Sequence, residues 1–203
     1  EPPQPAYFEV RFGPEVSQSE PTEQSPLSTP LPFELDLGEQ QIRITGQIDR
    51  IDIGRVGDVV VFNVIDYKSG KEVKFKPAEL LTGKQLQLPL YALAAEQILL
   101  SDEKAEALAA GYWSIQGKGF EAGALELQTV DGATLKPQAS AETYRQQLVD
   151  TLGRIVGDVQ QGKFPVYNSE DNCTSWCEYR TVCRIGQIRS LEKQWPCDEG
   201  PSP

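Results

Sequence analysis

Hydrophobic and polar positions alternate with a period of two along much of the first sixty residues. "AYFEVRFG" (Ala6 to Gly13) reads as a strand, and "PEVSQSEPTEQSPLSTPLP" behind it, rich in Pro, Ser and Glu, reads as a loop excursion. "FELDLGEQQIRITGQIDRIDIG" (Phe33 to Gly54) holds two alternating runs around Gly38, the pattern of a hairpin. "VVVFNVIDYK" (Val59 to Lys68) is continuously apolar until its last three residues, which suits a central strand covered on both faces. From Leu80 to Leu100 the spacing changes. Leu86, Leu90, Leu93, Ala94 and Gln97 recur at three and four residues, predicting one helix with Pro89 in its first turns or at a kink. "GYWSIQ" and "GALELQTV" predict further strands. Ser140 is a candidate N-cap for a second helix, with Tyr144, Leu148, Leu152, Ile155 and Val159 on one stripe and a stop near Gly162. The order predicts an α/β fold with a central mixed sheet flanked by helices. No internal repeat is visible.

Composition narrows the classes. The 203 residues can bury a full core, and one domain with an appendage is expected: a core over 1–165, with 14–32 as a flexible loop, and a Cys-containing tail over 166–203. No apolar run approaches the ~18–20 residues that cross a bilayer, so no membrane role is expected and a cytoplasmic location is. The chain contains neither methionine nor histidine, which points to a piece of a larger polypeptide or to modified residues. A net charge of −11 argues against general nucleic-acid affinity. The charge is uneven, however. Acids crowd the first forty residues, whereas Lys68, Lys71, Lys74, Lys76 and Lys84 cluster after the apolar strand.

That strand ends in a way its apolar body does not explain. Residues two apart share a face, so Asp66 and Lys68 project together. "GQIDRID" (Gly46 to Asp52) lies one hairpin earlier, and its Asp49 could be brought beside Asp66. Two converging carboxylates repel unless a cation sits between them, and oxygen donors of this kind suit Mg²⁺ or Mn²⁺. A neighbouring lysine can hold an attacking hydroxide or neutralise charge on a phosphoryl oxygen. Alone, "DYK" reads as an ion pair at a strand end, and "GQIDRID" as a hairpin strand with solvated charges.

Together with "QLQLPLYALAAE" (Gln85 to Glu96), which puts Gln87 and Tyr91 on one helical face, the ordered set closely resembles the RecB-like branch of the PD-(D/E)XK nucleases. The likeness is strongest to the C-terminal nuclease domains of AddB-type helicase–nuclease subunits, and it covers about Phe8 to Leu100 and part of the tail. It implies a restriction-endonuclease-like core, with Asp49 and Asp66 as metal ligands, the Tyr67 carbonyl as a further ligand and Lys68 as the catalytic lysine. Gln87 and Tyr91 would face the site from the helix. Glu9 would be an outer ligand, against the plain alternative of an exposed strand carboxylate. The implied activity is Mg²⁺- or Mn²⁺-dependent deoxyribonuclease action, exonucleolytic ahead of endonucleolytic. It would serve DNA recombination and repair, with DNA and a helicase domain or subunit as partners.

Two departures accompany the resemblance. The family carries a histidine on a helix before the first strand, so here it would lie upstream of Glu1; a complete chain without it would be slow or inactive. Relatives also hold a [4Fe-4S] cluster with one cysteine before the core and three after it. Cys173, Cys177 and Cys183 resemble the closing three, with one extra residue in the first gap, and Cys197 is a substitute fourth ligand or a bystander. Four thiolates suit a cluster or Zn²⁺ alike, and free thiols or a disulfide are the plain alternative. Two other functions compete: an inactive nuclease fold kept as a DNA-binding or structural module, and a redox or metal protein defined by its cysteines. The latter leaves "DYK" and Gln87/Tyr91 unexplained.

Overall fold

In a computed structural model, the described residues are 1–14, 25–38, 40–69, 74–116, 120, 124–163 and 178. All four cysteines fall outside them, as do residues 15–24 of the expected loop. The chain divides into two compact units, Glu1–Gly153 and Arg154–Pro203.

The first unit is built on a mixed sheet. β1 (Gln4–Phe12), β4 (Gly46–Val56), β5 (Val59–Lys68), β6 (Glu106–Ser114) and β7 (Leu125–Glu126) lie side by side in that order. Only the β5–β6 pair is parallel; β1–β4, β4–β5 and β6–β7 are antiparallel. β5 is thus central, as its apolar run predicts. Val61 and Ile65 on one face and Phe62 and Val64 on the other are each exposed by no more than 1%. A two-residue turn with Gly57 at φ +59° joins β4 to β5, the left-handed first position that primed hairpin turns require. The expected hairpin around Gly38 is present as β2 (Phe33–Asp36) and β3 (Gln41–Ile44). β8 (Gln128–Asp131) and β9 (Thr134–Pro137) form a second small ribbon.

The parallel step from β5 to β6 needs a crossover, and it is helical. The single helix expected over Leu80 to Leu100 is instead three pieces: α1 (Pro77–Leu81), α2 (Gln87–Ala94) and a π-helical turn, Ala95–Leu99. The break has a local cause. Gly83 takes φ +75° and its N–H bonds to the Leu80 carbonyl at 3.1 Å, closing α1. Gln85 then ties the junction, accepting from the Lys76 N–H at 2.6 Å and donating to the Lys74 carbonyl at 3.2 Å. Pro89 falls in the first turn of α2, where its missing N–H has no partner to lose. Leu88, Ala92, Ala95 and Leu99 form one buried cluster with Phe62, Val64 and Ala110.

α3 (Ala139–Gln160) adds Leu148 and Leu152 to that cluster. It begins one residue before Ser140, so Ser140 lies inside the first turn rather than at the cap. In the second unit, described over 154–163 and at 178, the helix stops as expected. Gly162 at φ +68° donates to the Val159 carbonyl at 3.0 Å. Among the described residues no helix is long and apolar enough to cross a membrane.

Candidate active site

β4 and β5 run antiparallel with Arg50 opposite Ile65 and Asp52 opposite Asn63. The paired register ends at Arg50 and Ile65, and β5 runs on to Asp66 and Lys68 at the end of the central strand. The side chain of Asp49 reaches across: its Oδ2 accepts the backbone N–H of Tyr67 at 2.8 Å. Asp66 is only 3% exposed. Its Oδ1 accepts from Gln87 Nε2 at 2.6 Å, so the first residue of α2 is anchored to the end of the central strand. Its Oδ2 is buried, with the Lys68 ammonium 2.5 Å away. Lys68, about one-third exposed, also lies over the ring of Tyr112 with Nζ 5.1 Å from the centroid.

Electrostatics single out Asp66. Burial pushes its carboxyl above the ordinary aspartate range; contact with Lys68 draws it back, the charge of Asp49 pushes it further up, and the Gln87 bond lowers it. Two acids sharing a partly dry strand end are therefore in mutual tension. A divalent ion between them would relieve it.

The remaining predicted residues sit around this centre. Tyr91, one helical turn after Gln87, packs edge-on against Phe12 with ring centroids 5.9 Å apart, above Gly46. It belongs to an aromatic wall at the start of β4. Glu9 is exposed and accepts a hydrogen bond from Gln47, two residues before Asp49. Phe8 pairs with Arg50 and Val10 with Ile48, and Glu9 between them takes a left-handed φ of +51°. A non-glycine held there carries a strain of about 1–3 kcal/mol. Asp49, Asp66, the Tyr67 peptide, Lys68 and Gln87 thus meet at one place, with Tyr91 and Glu9 on its flanks.

Two features escape a reading of the sequence. Tyr112, opposite Asp66 in the parallel β5–β6 register, supports Lys68 from beneath. Its hydroxyl is raised above the ordinary tyrosine range by burial and by the charges of Asp66 and Glu79. Alternation in "GYWS" separates Tyr112 from Trp113, but nothing local says which faces the lysine. The second feature removes the plain alternative for "GQIDRID": its remaining charges are not solvated. Arg50 and Asp52 pair at 2.6 Å with side chains 12% and 7% exposed.

The donors on hand fit a hard divalent cation. Among the described residues no three Asp, Glu, Cys or His side chains cluster closely enough to cage an ion. Mg²⁺, however, is commonly held by one or two carboxylates while keeping several waters. Asp49 and the buried Oδ2 of Asp66 meet that requirement.

A mixed sheet whose central strand ends in Asp, Tyr and Lys beside a second acid defines a restriction-endonuclease-like core, and the family comparison agrees. The model of the PD-(D/E)XK nuclease superfamily matches residues 5–184, and the chain belongs to that superfamily. Its likeness to AddB-type proteins is borne out by bacterial relatives named as subunits of an ATP-dependent helicase/deoxyribonuclease. The one from Acetivibrio thermocellus is 33% identical over 108 residues, 53% of this chain and 8% of that protein. The one from Exiguobacterium sibiricum is 31% identical over 116 residues, 56% of this chain and 9% of that protein. The one from Ruminiclostridium cellulolyticum is 45% identical over 62 residues, 30% of this chain and 5% of that protein. The chain spans less than a tenth of the length of these relatives.

Proposed function

We propose that the chain hydrolyses DNA phosphodiester bonds with Mg²⁺ or Mn²⁺ at the strand end where Asp49 and Asp66 meet. The observation that carries the reading is the bond from the Tyr67 N–H to Asp49, which holds one acid beside the other. Asp49, Asp66 and the Tyr67 carbonyl would hold the ion, with Glu9 as an outer oxygen donor. When bound, the ion supplies Lewis-acid charge at the scissile phosphate and acidifies a water. The protein's own groups do the rest. Gln87 fixes the rotamer of Asp66. Lys68, the partly exposed cation of the centre, supplies positive charge where the phosphoryl oxygen gains negative charge. Tyr91 limits the site on the side of β1.

By analogy with the named relatives, the chain is the nuclease portion of a helicase–nuclease, beside a helicase domain or a helicase partner chain; from the resemblance of its motifs we infer exonucleolytic action on DNA in the cytoplasm during recombination or repair. Cys173, Cys177, Cys183 and Cys197, outside the described residues, would hold an iron–sulfur staple. Absorbance near about 400 nm after anaerobic purification tests it, and zinc on elemental analysis would replace it.

The decisive experiment compares the wild-type chain with Asp66→Ala and Lys68→Ala on single- and double-stranded DNA, with Mg²⁺, Mn²⁺ or EDTA. Hydrolysis that needs the metal and is lost in both variants is the expected result. Metal-dependent hydrolysis unchanged in both would remove the site. DNA binding without hydrolysis would turn the chain into a non-catalytic module.

A further inference from the structure

The opposite face of the same strands carries a second network that no substrate-facing group accounts for. Alternation turns Arg50, Asp52, Tyr67 and Trp113 away from Asp49, Asp66 and Lys68. Arg50 donates from Nε and Nη2 to the two oxygens of Asp52 at 2.6 and 2.7 Å, a bidentate fork. Its Nη1 donates to the Tyr67 hydroxyl at 3.1 Å. The guanidinium carbon lies 5.0 Å from the centre of the Trp113 ring, and that ring meets Tyr67 edge-on at 6.5 Å. Arg50 and Asp52 are nearly buried, Tyr67 is 37% exposed, and with all three guanidinium nitrogens bonded the network favours one geometry.

Tyr67 belongs to both faces. Its side chain is held by Arg50 and Trp113 behind the sheet, while its backbone N–H holds Asp49 in front. It is also the next-to-last residue of β5, where a strand frays most easily unless tied. We propose that Arg50, braced by Asp52 and Trp113, is a positioning clamp that fixes the Tyr67 peptide and so sets the spacing of Asp49 and Asp66 for one divalent ion. The clamp rests on the metal reading given above. It also explains why "DRID" and "DYK" act as a pair: Arg50 and Asp52 tie β4 to the tyrosine that separates the acid and the lysine of β5.

The clamp predicts an effect on metal affinity that is separable from folding. Tyr67→Phe removes one hydroxyl and leaves both the ring on Trp113 and the peptide on Asp49. Arg50→Lys keeps a charge against Asp52 but loses the fork and the bond to Tyr67. Mn²⁺ is titrated into each chain without DNA, with free ion counted by electron paramagnetic resonance and thermal unfolding recorded on the same samples. Asp66→Asn serves as the blank. The expected result is Mn²⁺ affinity weakened about 10-fold in Tyr67→Phe, as for other partners of metal ligands, and at least as much in Arg50→Lys. Wild-type affinity in Tyr67→Phe, whatever its melting temperature, overturns the clamp and leaves the metal site standing. A wild type that binds no more Mn²⁺ than Asp66→Asn overturns both. If Arg50→Lys fails to fold, Tyr67→Phe decides alone.

Discussion

Asp49 on β4 accepts the backbone N–H of Tyr67 on β5 at 2.8 Å. A neutral amide oxygen can still accept from a peptide N–H, though more weakly than a carboxylate, whereas a divalent metal needs the carboxylate's charge. Asparagine at position 49 can still accept from that N–H through its amide oxygen. Asp49→Asn is therefore expected to keep its stability within about 1 kcal/mol while metal-dependent hydrolysis falls by more than about 100-fold. Thermal unfolding and a nuclease assay on the same preparation check it. A variant that unfolds readily yet stays active once folded would mean that Asp49 is a strand-pairing residue and nothing more.

Gln87 makes the opposite case, a neutral side chain whose value lies in another residue's orientation. Its amide is the donor to Asp66 Oδ1, at 2.6 Å. Gln87→Ala leaves that buried oxygen without its donor, a loss of about 1–3 kcal/mol, and frees Asp66 to turn. Activity is expected to fall about 10-fold, chiefly through a higher metal requirement. Rates measured across a Mg²⁺ series separate this from damage to DNA binding. A drop that excess Mg²⁺ does not relieve at all would place Gln87 on the DNA instead.

How far the sequence foretells this arrangement depends on the range over which each residue acts. β5, the hairpin around Gly38 and the pairing of β4 with β5 follow from alternation and turn residues, which are local. The apolar spacing that predicts one helix over Leu80 to Leu100 runs on through Gly83, whose left-handed φ of +75° breaks the helix. Arg50 and Asp52 look solvated in sequence because Trp113, which covers the guanidinium, lies far along the chain on another strand. Tyr112 is hidden for the same reason, since its place under Lys68 depends on the parallel β5–β6 register. Asp66 and Lys68 can be paired from their spacing alone. Their shared neighbours cannot.

Glu96 offers a test far from the strand end. It lies in the π-helical turn and lines a cavity of about 210 Å³ with Leu93, Ala107, Gln128, Arg145 and Leu148. Burial raises its carboxyl above the ordinary glutamate range; Arg145 opposes the shift and the charge of Glu106 adds to it. A folded-state value above the unfolded one means that the fold favours the protonated acid. The associated stability is present below the ordinary glutamate range and is lost as pH rises through the raised value. Glu96→Gln removes that loss. The melting temperature of the variant minus that of wild type is expected to grow as pH rises from about 4 towards 7. A difference that is flat across that range, or shrinks, would show that Arg145 fully compensates the burial.

Packing is tight where β4 begins. A Cβ on Gly46 would sit 2.7 Å from Phe12 Cζ and 2.9 Å from Tyr91 Cε1. The two rings meet edge-on at 90°, and Phe12 is only 2% exposed, so Phe12 has no room to move. Tyr91 is half-buried and must give way, and it stands one turn after Gln87 on the same helix. Gly46→Ala is therefore expected to lose about 1–3 kcal/mol from overpacking and to lower hydrolysis by displacing Gln87 from Asp66. Tyr91→Ala alone loses stability through the cavity it opens. In the double variant the added methyl enters space the ring has left, so the two losses should fall short of their sum by about 1 kcal/mol or more. Denaturant unfolding of the four proteins measures that shortfall. Strict additivity would mean that Gly46 and Tyr91 do not press on each other, and that the start of β4 transmits nothing to the helix that orients Asp66.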